Sequence, residues 1–207
     1  MAHASSIDAG FIETYSSSNL RRYTTANPLY RWHVNAVHRR ISALVQDADP
    51  ERVLDAGCGE GFGLYHLAKR APGLVLTGID IDREAVAYAR MRFGDVATFA
   101  HGSIFDLPYE ADAADLVLCS EVLEHLSDPG AALAELKRVA RTHVLVTVPR
   151  EPFFRALNNL AQWLGVSDDP GHVQFWNHAA FRAFIRDHFG DAVFDRVHVY
   201  QLALCRV

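Results

Sequence analysis

The sequence predicts an α/β fold, a doubly wound and mostly parallel sheet with helices on both faces. Three observations predict it. Short apolar runs alternate with segments of helical period along residues 50–149, the rhythm of a parallel sheet crossed by helices. Val53-Leu54-Asp55 runs directly into glycines at 57, 59, 61 and 63, a buried strand turning sharply into a helix. A second acid, Asp80, ends the next apolar run 25 residues after Asp55, where such folds bind a ribose.

Each element has a local reason. Asn27-Pro28 reads as a helix start, with Leu29, Trp32, Val37, Ile41, Leu44 and Val45 at near-helical spacing through Gln46. The glycine loop opens a helix that Pro72-Gly73 stops, and Leu74–Ile79 form the second strand. Asp82 caps a helix through Phe93, and Val96–Ala100 form the third strand. Asp115–Ser120 give the fourth strand, Pro129–Ala140 an amphipathic helix, and Thr142–Val148 the fifth strand, ended by Pro149. Asn177 caps a helix to Phe189, and residues 193–207 close the sheet as the antiparallel pair usual for this fold, seven strands in all.

A chain of 207 residues is expected to form one domain (1–207). Residues 1–46 are its helical cap, 50–149 its core, and 150–176 an insert with an apolar stripe from Phe153 to Leu164 that walls an acceptor pocket. Charged residues make up 22% and the net charge is −5, without a dense basic tract, which argues against a nucleic-acid partner. No apolar run reaches the length of a membrane span and no secretory leader is visible, so the expected compartment is the cytoplasm. Cys58, Cys119 and Cys205 are odd in number and far apart, which fits neither a disulfide framework nor a zinc site.

The loop selects among ligands. A dinucleotide loop receives a pyrophosphate, whereas Asp55 brings a carboxylate and Phe62 stands where the third fingerprint glycine would be. A ligand with a cationic head suits it better. Through VLDAGCGEGFG, Asp80, Leu107-Pro108-Tyr109 and EVLEHLSDP the chain resembles the class I S-adenosylmethionine-dependent methyltransferases, in particular the small-molecule group that includes quinone-biosynthesis enzymes. The resemblance implies S-adenosylmethionine as cofactor. It places Asp55, Gly57, Cys58, Gly59 and Gly61 at the methionine end, Asp80 at the ribose, and Ile81, Ser103 and Ile104 at the adenine. Ser103 stands where the family usually has Asp. In the family a helix like the one from Asn27-Pro28 to Gln46 often roofs the cofactor pocket, and Tyr23, Tyr30 and Arg31 are further candidate pocket contacts.

The segment EVLEHLSDP, residues 121–129, supports three readings, with Glu121 and His125 expected on one helix face. In one, Cys119 to Glu121 line the methionine part and His125 is structural. In another, His125 is the general base for the acceptor. The third is a metal site of Glu121, Glu124, His125 and His172, because Glu-x-x-Glu-His resembles the metal-binding segment of small-RNA 2′-O-methyltransferases. The implied reaction is methyl transfer to a small molecule, aromatic, lipid-linked or sugar-linked. A non-catalytic cofactor-binding subunit, a metal-assisted RNA 2′-O-methyltransferase and a nicotinamide oxidoreductase are the alternatives. Oligomeric state is not readable from the residues.

Overall fold

The computed structural model describes residues 11–12, 15–151 and 171–207. Helices α1 (Ser18–Thr24) and α2 (Pro28–Ala48) precede strand β1 (Arg52–Ala56). Then come α3 (Phe62–Arg70), β2 (Val75–Asp80), α4 (Arg83–Phe93), β3 (Thr98–His101) and β4 (Ala114–Ser120). The chain continues through a 3-10 turn (Leu123–His125), α5 (Pro129–Val139), β5 (Ala140–Pro149), α6 (His178–Phe189), β6 (Ala192–Val197) and β7 (Tyr200–Arg206).

The seven strands run in the order β3-β2-β1-β4-β5-β7-β6, and β7 runs opposite to the other six, pairing antiparallel with both β5 and β6. The order reverses between β1 and β4, so a crevice opens beyond their carboxyl ends, where open α/β sheets bind ligands. Two apolar layers sandwich the sheet. Ile41, Leu44, Leu64, Leu67 and Val86 from α2, α3 and α4 fill one face. Leu133, Leu136, Phe181 and Ile185 from α5 and α6 fill the other.

The expected helix caps are present. The Asn27 side chain accepts from the Leu29 and Tyr30 N–H groups, Asp82 from Glu84 and Ala85, and Asn177 from Ala180. Several expectations are corrected. Strand β3 begins at Thr98 because the Val96 and Ala97 N–H groups turn back to the Phe93 carbonyl. The first turn of the α2 stripe faces out, with Leu29 70% and Trp32 55% exposed. Glu121 and His125 share no helix face: Glu121 is left-handed at φ 57° and only a 3-10 turn follows. The β6–β7 hairpin turns at His198, also left-handed at φ 51°. The apolar stripe expected from Phe153 to Leu164 lies outside the described residues.

Candidate functional site

A cavity of about 1020 Å³ opens over the carboxyl ends of β1, β2 and β4, at the upper end of the range for small-molecule sites. Its floor is the glycine loop. The N–H groups of Gly57 and Cys58 donate to the Ile79 carbonyl at 2.8 and 3.1 Å, tying the loop to β2. Gly57 is required there: φ is +91°, and an added Cβ would collide with the Val122 side chain. Gly61 differs from expectation. A Cβ on it would meet the Phe99 ring at 2.8 Å, and it is absent from the cavity lining, so it serves packing under the loop.

Asp55 is buried at the end of β1, and its Oδ1 has no hydrogen-bond partner among the described residues. Burial, and secondarily the Asp80 charge, push its carboxyl up to about 7. A buried acid of this kind lacks a counter-charge. Asp80 is engaged with backbone: Oδ2 accepts the Gly59 N–H at 2.7 Å and Oδ1 the Asp82 N–H at 2.9 Å. It holds the loop open toward the cavity while facing it. Ile81 stands 70% exposed at the rim beside Ser103 and Ile104, and the Ser103 hydroxyl accepts the Phe105 N–H at 3.2 Å. Cys58 lines the cavity and donates to the Gly59 carbonyl; burial raises its thiol pKa.

Cys119 is not at the site. Alternation along β4 sends Leu118 and Ser120 to the cavity and buries Cys119 in the apolar layer on the other face. Arg31 is likewise exposed and outside the lining, whereas Tyr23 and Tyr30 belong to it. Glu121 lines the cavity, its N–H donating to the Thr147 carbonyl and its Oε2 accepting the Tyr200 hydroxyl at 2.9 Å.

Glu124, His125 and His172 come together, each offering a ligand atom, all within 4.8 Å of one another. Glu124 is 1% exposed, and neither Oε has a hydrogen-bond partner among the described residues. Burial, then Glu121, raises it well above the usual carboxylate range. His125 Nδ1 lies 3.3 Å from the Gly171 carbonyl. A carbonyl only accepts, so Nδ1 carries the proton and the neutral ring keeps its Nε2 lone pair. Partial burial lowers the pKa of His125, favouring that neutral form.

Of the roof, the sequence pointed to Tyr23 and Tyr30 but not to Ser17, Asn19 or Arg22. Residues 15–25 cross the cavity, and Ser17, Asn19, Arg22 and Tyr23 line it. Glu60, between two loop glycines, accepts from Tyr15 (3.0 Å), Ser17 and Asn19. The acid amid the glycines was the only signal available.

A family of methyltransferase domains matches residues 54–147. The chain is 33% identical over 133 residues to the ubiquinone biosynthesis O-methyltransferase of Vibrio campbellii, covering 60% of this chain and 53% of that one. It is 35% identical over 115 residues to a Mycolicibacterium smegmatis protein named "Probable S-adenosylmethionine-dependent methyltransferase", covering 56% and 42%. The chain thus spans about half the length of these curated relatives. Among solved structures, magnesium protoporphyrin IX methyltransferase from Synechocystis, with bound S-adenosylhomocysteine, superposes with a TM-score of 0.67 at 21% identity, covering 91% and 92%. The methyltransferase domain of bacterial CtHen1-C gives 0.69 at 18%, covering 84% and 98%. The sheet order, the glycine loop ahead of a buried acid and the matched residues 54–147 lead to one conclusion: this part of the chain is similar to the S-adenosylmethionine-dependent methyltransferases and shares their domain family.

Proposed function

We propose that the protein transfers a methyl group from S-adenosylmethionine to a small-molecule hydroxyl. One observation carries the reading: the buried Asp55 carboxylate, with an unpartnered Oδ1 below the glycine loop. It fits a ligand with a positively charged amino-acid end and disfavours a pyrophosphate, hence a nicotinamide nucleotide. When bound, the cofactor supplies a methyl group already made electrophilic by its sulfonium, so alignment and a dry site matter more than strong acid–base help.

The chain's residues divide the work. Asp55, Gly57, Cys58 and Gly59 hold the methionine end, Asp80 the ribose diol, and Ile81, Ser103 and Ile104 the adenine. Glu121 borders the methyl side, and His125 Nε2 removes the acceptor proton. The acceptor is aromatic, lipid-linked or sugar-linked, and the chain acts as a single domain. Net charge −5 weighs against RNA. Among the described residues no helix is long and apolar enough to cross a membrane, and the three free cysteines suit the cytoplasm of this reading.

A second reading is favoured by the Glu124, His125 and His172 group: a divalent cation there would polarise the acceptor hydroxyl. Glu121 lies outside the group, bonded to Tyr200. Calorimetry with S-adenosylmethionine, S-adenosylhomocysteine and NAD tests the main reading, which fails if only NAD binds or nothing does. His125→Gln then separates base from structural role. A base should lose on the order of 100-fold or more in turnover with cofactor affinity unchanged; equal losses in both would reject it. Turnover abolished by a chelator and restored by one added metal would select the cation.

A further inference from the structure

Among the described residues, the acids that line the cavity come from its floor and walls and none from its roof. They include Asp55, Glu60, Asp80 and Glu121, and a ligand carrying an α-amino acid must also place a carboxylate among them. Among the described residues, the full cations in the lining are Arg21 and Arg22, both on α1. Arg21 is exposed, while Arg22 is half-buried and makes no hydrogen bond or ion pair among the described residues. Arg22 shares the lining with Glu121, Tyr23 and Tyr30, and the Glu121 carboxylate acts on its guanidinium.

Helix α1 is held in a particular way. None of its seven residues is fully buried, Leu20 alone packs half-buried against the core, and a helix this short is marginal alone. Its attachments are local and mostly polar. Glu60, 3% exposed, accepts from Tyr15, Ser17 and Asn19. Ser17 Oγ in turn caps α1 through the Leu20 N–H at 2.8 Å. Tyr23 stacks on Phe62 with centroids 4.3 Å apart and bonds His38 Nε2 through its hydroxyl at 2.7 Å. Glu60 and Phe62 flank Gly61 in the loop itself.

We propose that residues 15–25 are a strap over the methionine end of the cavity, latched to the glycine loop by Glu60, and that Arg22 on it clamps the cofactor's α-carboxylate. The inference rests on the reading of the cavity as an S-adenosylmethionine site. Asp55 from the floor and Arg22 from the roof then form a pair of opposite charges matched to a zwitterion. Arg22 is the contact residue; Glu60 positions it by holding the strap down.

The test uses two ligands that differ only at this end. S-Adenosylhomocysteine carries the amino-acid group, and 5′-methylthioadenosine replaces it with a methyl group. Calorimetry on the full chain is run for both, with Arg22→Met, Arg22→Lys and Glu60→Gln. Arg22→Met should weaken S-adenosylhomocysteine on the order of 10-fold to 100-fold, the scale of a charge-assisted contact, and change methylthioadenosine by less than about twofold. Arg22→Lys should recover part of the loss, because the charge remains without the planar fork. Glu60→Gln should lower the same discrimination ratio and speed proteolytic cleavage within 15–25, and S-adenosylhomocysteine should slow that cleavage in the unaltered chain. Equal weakening of both ligands by Arg22→Met would mean that Arg22 only balances Glu121, and unchanged S-adenosylhomocysteine affinity would mean that it meets no cofactor carboxylate; either overturns the proposal. If the unaltered chain bound neither ligand, the reading of the cavity itself would fail.

Discussion

Asp55→Asn should raise stability and lower cofactor affinity at the same time. The Asp55 carboxyl lies at about 7 in the folded protein against an ordinary 3.8, a difference of about 4 kcal/mol at 1.36 kcal/mol per unit. The sign follows from linkage. Between these values the folded state keeps a proton that the unfolded state has lost. The carboxyl therefore costs no stability below the lower value, costs more as pH rises, and reaches its full cost above about 7. An amide of the same shape carries none of it. Near pH ~8 the variant should be more stable by up to about 4 kcal/mol, and near pH ~4 nearly equal to the parent. S-Adenosylhomocysteine should bind the variant at least roughly 10-fold more weakly above pH ~7, for want of a partner for its ammonium. Urea denaturation across this pH range and calorimetry at each end provide the measurements. Unchanged stability at high pH together with unchanged affinity would refute the argument that Asp55 is a buried charge awaiting a cation.

Two further changes probe the frame around the site. His38 and His66 are pushed down to about 3 and about 4 by burial first and then by neighbouring charge; both are neutral in the fold, so the stability they confer is present above pH ~6.5 and lost as pH falls through that window. Denaturant midpoints should fall with acidification there and fall less in His66→Gln; the slope is cleanest in the Asp55→Asn background, since Asp55 acts with the opposite sign. Gly57→Ala combines a left-handed backbone with a collision against Val122, costing about 3 kcal/mol or roughly 10 °C in Tm, and Val122→Ala should return part of it; a Gly57→Ala protein melting with the parent would contradict the loop geometry.

What could be read from the sequence was what its residues determine locally. Asn27, Asp82 and Asn177 announce helix starts because their side chains satisfy open N–H groups, and all three do so in the structure. The apolar runs gave five parallel strands because strands buried on both faces read as continuous hydrophobes. Helix α1 was illegible: SNLRRYT has no buried residue and therefore no apolar period, and it is ordered by a glutamate more than 40 positions away. Glu121 misled for the opposite reason. A four-residue spacing to His125 imitates a helix, but the pairing of its N–H with Thr147 turns the chain left-handed before any helix can start. The hairpin at His198 carries no Gly or Pro, so no residue type marked it. Cys119 is one position out of phase with the side of β4 that lines the cavity.

Strand β7 enters between β5 and β6 rather than at an edge, and this has a consequence for synthesis. While a ribosome has delivered residues only as far as β6, β5 presents a row of unpaired amides to its surroundings, the template on which foreign strands assemble. Residues 200–206 close that gap and in the same movement carry Tyr200 to Glu121. Closing the sheet and finishing the cavity wall are therefore one event, and a chain stalled short of residue 200 has neither.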